Sequence, residues 1–200
     1  IVETFSNVRL VTEPCAGFSH AVNRGLREVR DFNDLILILN NDTVVMPDWM
    51  EELQFVLHKH DSAAVAVPRQ VLPAGADIIR HHVPGAMNTY ECDINLSAHH
   101  NNVLDPEFDV ADCLVELSYA PLFCALIRPE VMRALGGLDA RNGAHYRSDW
   151  VFSDEVRRLT GGRVIYTPHS KVYHMQGTST RIWTSNQQGS SFVLGANLSK

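Results

Sequence analysis

The stretch Asp34-Leu35-Ile36-Leu37-Ile38-Leu39-Asn40-Asn41-Asp42-Thr43 decides how the rest of the chain is read. Branched apolar residues run without a break from Leu35 to Leu39 and stop at a cluster of oxygen-bearing side chains. A strand that apolar is covered on both faces, which predicts a central strand of a parallel or mixed sheet. Open α/β sheets bind ligands beyond the carboxyl ends of their strands. Asn40 and Asp42 therefore stand where a metal and a phosphate are held. Hard divalent cations take oxygen ligands, and Mg²⁺ is often shared between a carboxylate and substrate phosphates. The competing reading is a strand ending in an Asx turn, since Asn and Asp favour turns for local hydrogen-bonding reasons. On this stretch alone both stay open.

The flanks continue the pattern. Val8–Thr12 alternates as a strand does. Phe18, Val22, Leu26 and Val29 share one helical face. Beyond the Asn-Asp cluster, Asp48 and Glu51 fit a capping box, and Met50, Leu53, Val56 and Leu57 give the next helix its apolar stripe. Ala63–Val67 is a short buried strand ended by Pro68. Strand and helix alternating in this way argue for an α/β sheet, mostly parallel and flanked by helices. Residues 70–112 are rich in Pro, Gly, His, Asn and Asp, and read as a long irregular excursion with room for a β-ribbon. Strand character returns over Cys113–Ile127, broken at Pro121. Pro129 suits the first turn of a helix that ends at Gly136-Gly137. Asp149–Leu159 is a further helix, and Arg163–Thr167 and Lys171–Tyr173 are strands on either side of Pro168. The segment 176–200 is a polar tail.

Two hundred residues suit one domain, 1–200. The net charge of -6 removes the basic footprint of a nucleic-acid binder, so any phosphate must be held by local devices. No stretch is apolar for long enough to span a bilayer, and no signal peptide is visible at the start. Cys15, Cys92, Cys113 and Cys124 lack paired spacing and read as reduced thiols. Together these predict a cytoplasmic location, with peripheral attachment at the cytosolic membrane face left open. His81-His82 and His99-His100 lie in polar stretches and read as solvated pairs, a metal role being the alternative. No GxGxxG follows a strand and opens a helix, which disfavours a dinucleotide-binding enzyme.

Five segments in order carry a resemblance. They are Gly17-Phe18-Ser19-His20-Ala21-Val22-Asn23-Arg24-Gly25, LILILNNDTVVMPDW, CALIRPEVMRALGGLD, Ser148-Asp149-Trp150 opening a helix, and RVIYTPHSKVYHMQGTS. In that order the chain resembles family 2 of the inverting glycosyltransferases, which have the Rossmann-related GT-A fold, from about Val8 to Ser179. The resemblance implies transfer of a sugar from a nucleotide-sugar donor to a glycan or lipid-linked hydroxyl acceptor, as in polysaccharide biosynthesis for a cell envelope, with Mg²⁺ or Mn²⁺ as cofactor. It implies that Asn40-Asn41-Asp42 takes the place of the metal- and diphosphate-binding DxD motif, with Asp42 the metal ligand and Asn40 a neutral helper. His174 then completes the metal site, and Gly17 to Asn23 lies near the donor nucleotide. Asp149 becomes the general base, with Asp154 the fallback, and Asp139 keeps a structural or acceptor-side role. Each has a plainer reading: a strand-end His, a tight turn at Gly17, a helix N-cap at Asp149. Tyr119, Phe123, Trp150 and Trp183 are candidates for stacking on sugar rings or for the core, and Arg181 for a phosphate contact.

The chain departs from the family pattern in three places. The DxD motif retains one carboxylate. Ser148 and Val151 stand where the family shows acidic residues around its Asp. The family's first strand and helix have no counterpart before Val8, and Ile1–Phe5 reads like the last turn of a helix that began upstream. An N-terminally truncated sheet exposes a strand edge, from which homodimerisation is expected. These departures also sustain an alternative, a non-catalytic transferase-like module that binds a glycan or a protein partner.

Overall fold

The computed structural model describes residues 8–12, 17–29, 33–72, 92–93, 113–142 and 148–174. Its strands are β1 (Ile36–Leu39), β2 (Thr43–Val45), β3 (Ala63–Leu72), β4 (Cys92–Asp93), β5 (Val115–Leu117), β6 (Cys124–Ile127) and β7 (Arg163–His174). Its helices are α1 (Phe18–Glu28), α2 (Trp49–Lys59), α3 (Pro129–Leu135) and α4 (Ser148–Thr160). The strand order is β1-β6-β3-β7-β2, with β4 paired to β3 and β5 to β7.

The sheet is mixed, as expected, but its balance differs from the mostly parallel sheet predicted. Among the described pairings only β3–β7 is parallel; the others are antiparallel. Strand β1 is also not central: it stands at one end of the order among the described residues. The cause is β6, which enters from the turn beside the end of β1, where Asn40 N–H donates to the Phe123 carbonyl at 2.7 Å. From there it runs back between β1 and β3.

The two-faced apolarity of β1 is real nonetheless. Ile36 and Ile38 belong with Val65, Val67, Phe152 and Tyr166 on one face, against which Phe18, Val22 and Leu26 of α1 pack. Leu35 and Leu37 meet Leu53, Val56 and Leu57 of α2 on the other, with Phe123 and Val172. Fully burying one such side chain is worth roughly 1.5–3 kcal/mol, so the two layers together hold the sheet between its helices.

Both long strands continue through a proline that the sequence pattern treats as a break. Pro68 pairs with Thr167, and the next pair is Arg69 with Lys171, so Pro168, His169 and Ser170 bulge out of β7. Proline has no N–H to donate and is tolerated at such a bulge. β1 and β2 lie four strand spacings apart in the order, about 19 Å in a flat sheet. Four Cα–Cα steps from Leu39 to Thr43 reach about 15 Å at most. The sheet must therefore curl to bring β2 back toward β1.

Elsewhere Val8–Thr12 has no regular structure, in place of the predicted strand. Asp48 does not cap α2 through its side chain; it sits in the left-handed region at φ 60. Of the excursion 70–112, the described parts are the end of β3 and β4, which pair as a short antiparallel ribbon. His81-His82, His99-His100, Arg181, Trp183 and the polar tail lie outside the described residues.

Candidate active site

The carboxyl ends of β1, β3 and β7 share one edge of the sheet, the edge where open α/β sheets take ligands. Asn40 follows β1, Gln70 lies near the end of β3, and His174 ends β7. The backbone register sets Thr43 of β2 opposite His174, and the Thr43 hydroxyl donates to the Asn40 carbonyl at 2.8 Å. This turn delivers Asp42 to the imidazole: Asp42 Oδ1 lies 3.2 Å from His174 Nε2. Asn40 Nδ2 lies 3.4 Å from the same nitrogen. On the far side of the ring Gln70 Nε2 lies 2.8 Å from Nδ1. The Phe123 ring stacks on the imidazole at 4.7 Å, with 14° between planes. His174 is 8% exposed. Burial holds its pKa below the ordinary histidine value, opposed by the Asp42 carboxylate, and the ring stays neutral.

Asp42 and His174 therefore present one carboxylate and one neutral imidazole to the same point, a set that fits a divalent cation. Among the described residues no third His, Cys, Asp or Glu joins them, so the remaining positions would fall to Asn40, water or phosphate oxygens. Asn41 of the predicted site is exposed on the turn.

Asp149 reaches this region through the turn before β6. Its Oδ2 accepts from the Leu122 N–H at 3.3 Å, and the next residue, Phe123, carries the ring stacked on His174. Asp149 lies in the first turn of α4 and is only partly exposed. Burial pushes its carboxyl up to about 6, with the Leu122 N–H bond pulling the other way. Tyr119 stacks on Trp150 beside it at 4.7 Å, with Trp150 54% exposed. Burial and the Asp149 charge push the Tyr119 phenol up to about 12, so it stays neutral. Asp154, the fallback base, points to solvent and pairs with Arg157 at 2.6 Å, which removes it from this cluster.

The remaining expected residues separate. Gly17 is buried at φ 104, a conformation that favours glycine, and its carbonyl opens α1. Asn23 uses its amide on the backbone: Nδ2 donates to the Leu138 carbonyl, and Oδ1 accepts from the Leu138 N–H, each at 2.7 Å. That clamp fastens the loop after α3 to α1, so Asn23 has a structural task where a donor contact was predicted. Asp139 accepts from the Arg141 guanidinium and backbone N–H, a local loop pairing. A shallow surface pocket lined by Gly136, Asp139, Arg141 and Glu155 lies at this loop and contains none of the groups around His174.

Two contacts were missed in the sequence. Ser148 is buried against Ser19, hydroxyl to hydroxyl at 2.8 Å. The Ser148 departure therefore meets a hydroxyl partner, Ser19 of α1. The Gln70 contact had one weak signal, a polar pair, Arg69-Gln70, near the end of a largely apolar strand.

The model of the family described as glycosyltransferase-like family 2 matches residues 1–189. No curated protein matches the chain. Among solved structures the chain is similar to the crystal structure of GalNAc-T7 with UDP, GalNAc and Mn²⁺, at 16% identity and a TM-score of 0.57, over 82% of this chain. The chain spans 31% of that protein's length. At this identity the likeness establishes the GT-A-like fold.

Proposed function

The chain belongs to glycosyltransferase-like family 2, and from that premise we propose that it moves a sugar from a nucleoside-diphosphate donor to a hydroxyl acceptor with inversion, assisted by a divalent cation. The observation that carries this is the shared turn Leu122–Phe123. One of its residues donates to the Asp149 carboxylate, and the next stacks on the imidazole that Asp42 faces.

The reaction divides between these two groups. Asp42 and His174, with Asn40 beside them, would hold Mg²⁺ or Mn²⁺ and the donor diphosphate. The bound cation supplies charge neutralisation for the departing nucleoside diphosphate. Asp149 takes the proton of the acceptor hydroxyl as that oxygen attacks the anomeric carbon. The bond from that carbon to the phosphate oxygen breaks on the opposite face, its electron pair leaving with the diphosphate. One carboxylate suffices for such a single displacement. A carboxyl raised to about 6 is ionised at pH 7 and is a stronger base than an ordinary Asp.

Calorimetric titration of UDP, GDP and dTDP in the presence of Mn²⁺ tests the donor site. One nucleotide binds, and Asp42→Ala abolishes the heat. Silence from all three argues against the reading.

A second reading is a non-catalytic module that binds a glycan or a protein. The lone carboxylate in Asn40-Asn41-Asp42 and the buried Ser148–Ser19 pair favour it. Transfer activity that disappears in Asp149→Asn eliminates it.

A further inference from the structure

Of the four aromatic residues expected on sugar rings or in the core, Phe123 is committed to the His174 imidazole. Trp183 lies outside the described residues. Tyr119 and Trp150 stack on each other, with centroids 4.7 Å apart and 26° between planes. Tyr119 is half-buried, whereas Trp150 is 54% exposed. With one face of the indole on the phenol ring, that exposure belongs to its other face and its rim.

The stack is held firmly. The segment from Ser118 to Leu122 is tied to α4 along its length. The Ser118 carbonyl accepts from the Arg157 guanidinium, the Ala120 N–H donates to the Ser153 hydroxyl at 2.7 Å, and the Leu122 N–H donates to the Asp149 carboxylate at 3.3 Å. The Ser153 hydroxyl in turn donates to the Asp149 carbonyl at 2.6 Å. A large ring kept in water is unfavourable, and a ring already fixed by its support has little rotamer freedom left to lose when a ligand settles on it.

The surroundings select the ligand. Docking another chain calls for contiguous apolar area on the order of several hundred Å². Here a single aromatic face is bordered by polar groups. Asp149 precedes it, and one turn along the helix stands the exposed Asp154, paired with Arg157. A pyranose ring has the matching chemistry: C–H groups on a face, which suit the electron-rich face of an indole, and hydroxyls around its rim. The same segment leads on to the rest of the site. Four Cα–Cα steps, about 15 Å at most, separate Tyr119 under the indole from Phe123 on the imidazole. Between them Leu122 holds the Asp149 carboxylate.

We propose that Trp150 is the platform for the acceptor sugar: the C–H face of a pyranose rests on the open face of the indole, with the hydroxyl to be glycosylated turned toward Asp149. The acceptor is thereby a glycan or glycoside that presents a pyranose, and not an amino-acid hydroxyl or a bare lipid alcohol. The acceptor role rests on the transfer reading given above. The sugar contact rests on the ring and its surroundings alone.

Methyl glycosides of glucose, galactose, mannose, rhamnose and N-acetylglucosamine, in both anomeric forms, test the contact at millimolar concentration. The indole N–H resonance of Trp150 is assigned by its loss in Trp150→Phe. At least one glycoside moves that resonance, and the C–H protons of one sugar face shift upfield under the ring current. Trp150→Leu keeps apolar bulk without an aromatic face and weakens that glycoside roughly 10-fold or more. Trp150→Phe keeps a ring and loses less. With donor present, Trp150→Leu raises the acceptor KM by a similar factor and leaves the donor KM in place, a split that a merely structural tryptophan would not give.

A Trp150 resonance that ignores every glycoside overturns the proposal. So does wild-type glycoside affinity in Trp150→Leu, or an equal loss in Trp150→Phe and Trp150→Leu. A shift produced by hexan-1-ol and by no glycoside also overturns it and marks the ring as a seat for an apolar partner. If nucleotides with Mn²⁺ give no heat while a glycoside still moves Trp150, the transfer reading falls and the sugar site stands.

Discussion

Asp149 is costly to the folded chain in the same way that it is useful. Its pKa of about 6 lies above the ordinary 3.8, so the folded state holds this proton more tightly than the unfolded state does. Stability from the group is therefore fully present below about pH 4 and is lost as pH rises through 6. Asparagine mimics the protonated acid at every pH. Asp149→Asn is expected to stabilise the protein by about 1–2 kcal/mol at pH 7, a figure reduced from the full shift because the side chain is partly exposed. At pH 4 the gain should shrink toward zero. Urea unfolding at the two pH values checks this, and an equal effect at both removes the claim of a raised pKa. Transfer activity should fall roughly 10²–10⁴-fold in the same variant, the usual contribution of a general base. At this scale the sequence singled out Asp42, His174 and Asp149, and the structure places Asp42 against His174 and ties Asp149 to the turn whose Phe123 stacks on that imidazole. The sequence was silent where two ordinary residues meet across the fold. Ser19 and Ser148 are 129 positions apart and carry no local pattern that predicts their contact.

Hydrophobic periodicity located most of the elements, because a helix stripe and a buried strand are set by local burial. It misjudged continuity, because whether a strand survives a proline depends on its neighbour. Pro68 stands just before the register shift on β3, and Pro168 lies within the bulge of β7. The Asp48 prediction failed for a related reason: the capping pattern is present, but the turn from β2 into α2 forces Asp48 to φ 60. Asp48→Gly should relieve that backbone and raise stability by about 1 kcal/mol, read as the shift in unfolding midpoint. A loss of stability would show that the Asp48 side chain contributes in some other way. The loop after α3 argues in the opposite direction. A Cβ at Gly137 would sit 2.6 Å from Asn23 Oδ1, on backbone at φ 131. Gly137→Ala should cost on the order of 2 kcal/mol or more. Asn23→Ala, which orphans both backbone groups of Leu138, should cost about 1–3 kcal/mol. If Asn23 is structural, Asn23→Ala lowers the melting temperature and leaves nucleotide affinity unchanged. A selective loss of affinity would return it to the donor site.

The whole molecule joins the ends of its sheet at the site. Among the described residues β1 and β2 end the strand order, yet Asn40 and Asp42 between them meet His174 at the end of β7. A ligand held by Asp42 and His174 thus fastens the curled margin of the sheet, and its binding energy should appear as global stability. Anything that binds only the folded state stabilises by RT ln(1 + [L]/Kd), about 2.7 kcal/mol at one hundred times Kd. For a domain near this size, 1 kcal/mol moves the melting temperature by roughly 2–4 °C, so a saturating nucleoside diphosphate with Mn²⁺ should raise it by roughly 5–10 °C. Nucleotide without the cation, or the cation without nucleotide, should give much less, because Asp42 and His174 supply only two ligands and the diphosphate oxygens complete the set. Asp42→Ala should abolish the increment while leaving the unliganded melting temperature within a few degrees of wild type, since its side chain is at the rim of the sheet. A shift that persists in Asp42→Ala would place the nucleotide elsewhere on the fold, and the curled margin would then be a purely structural closure.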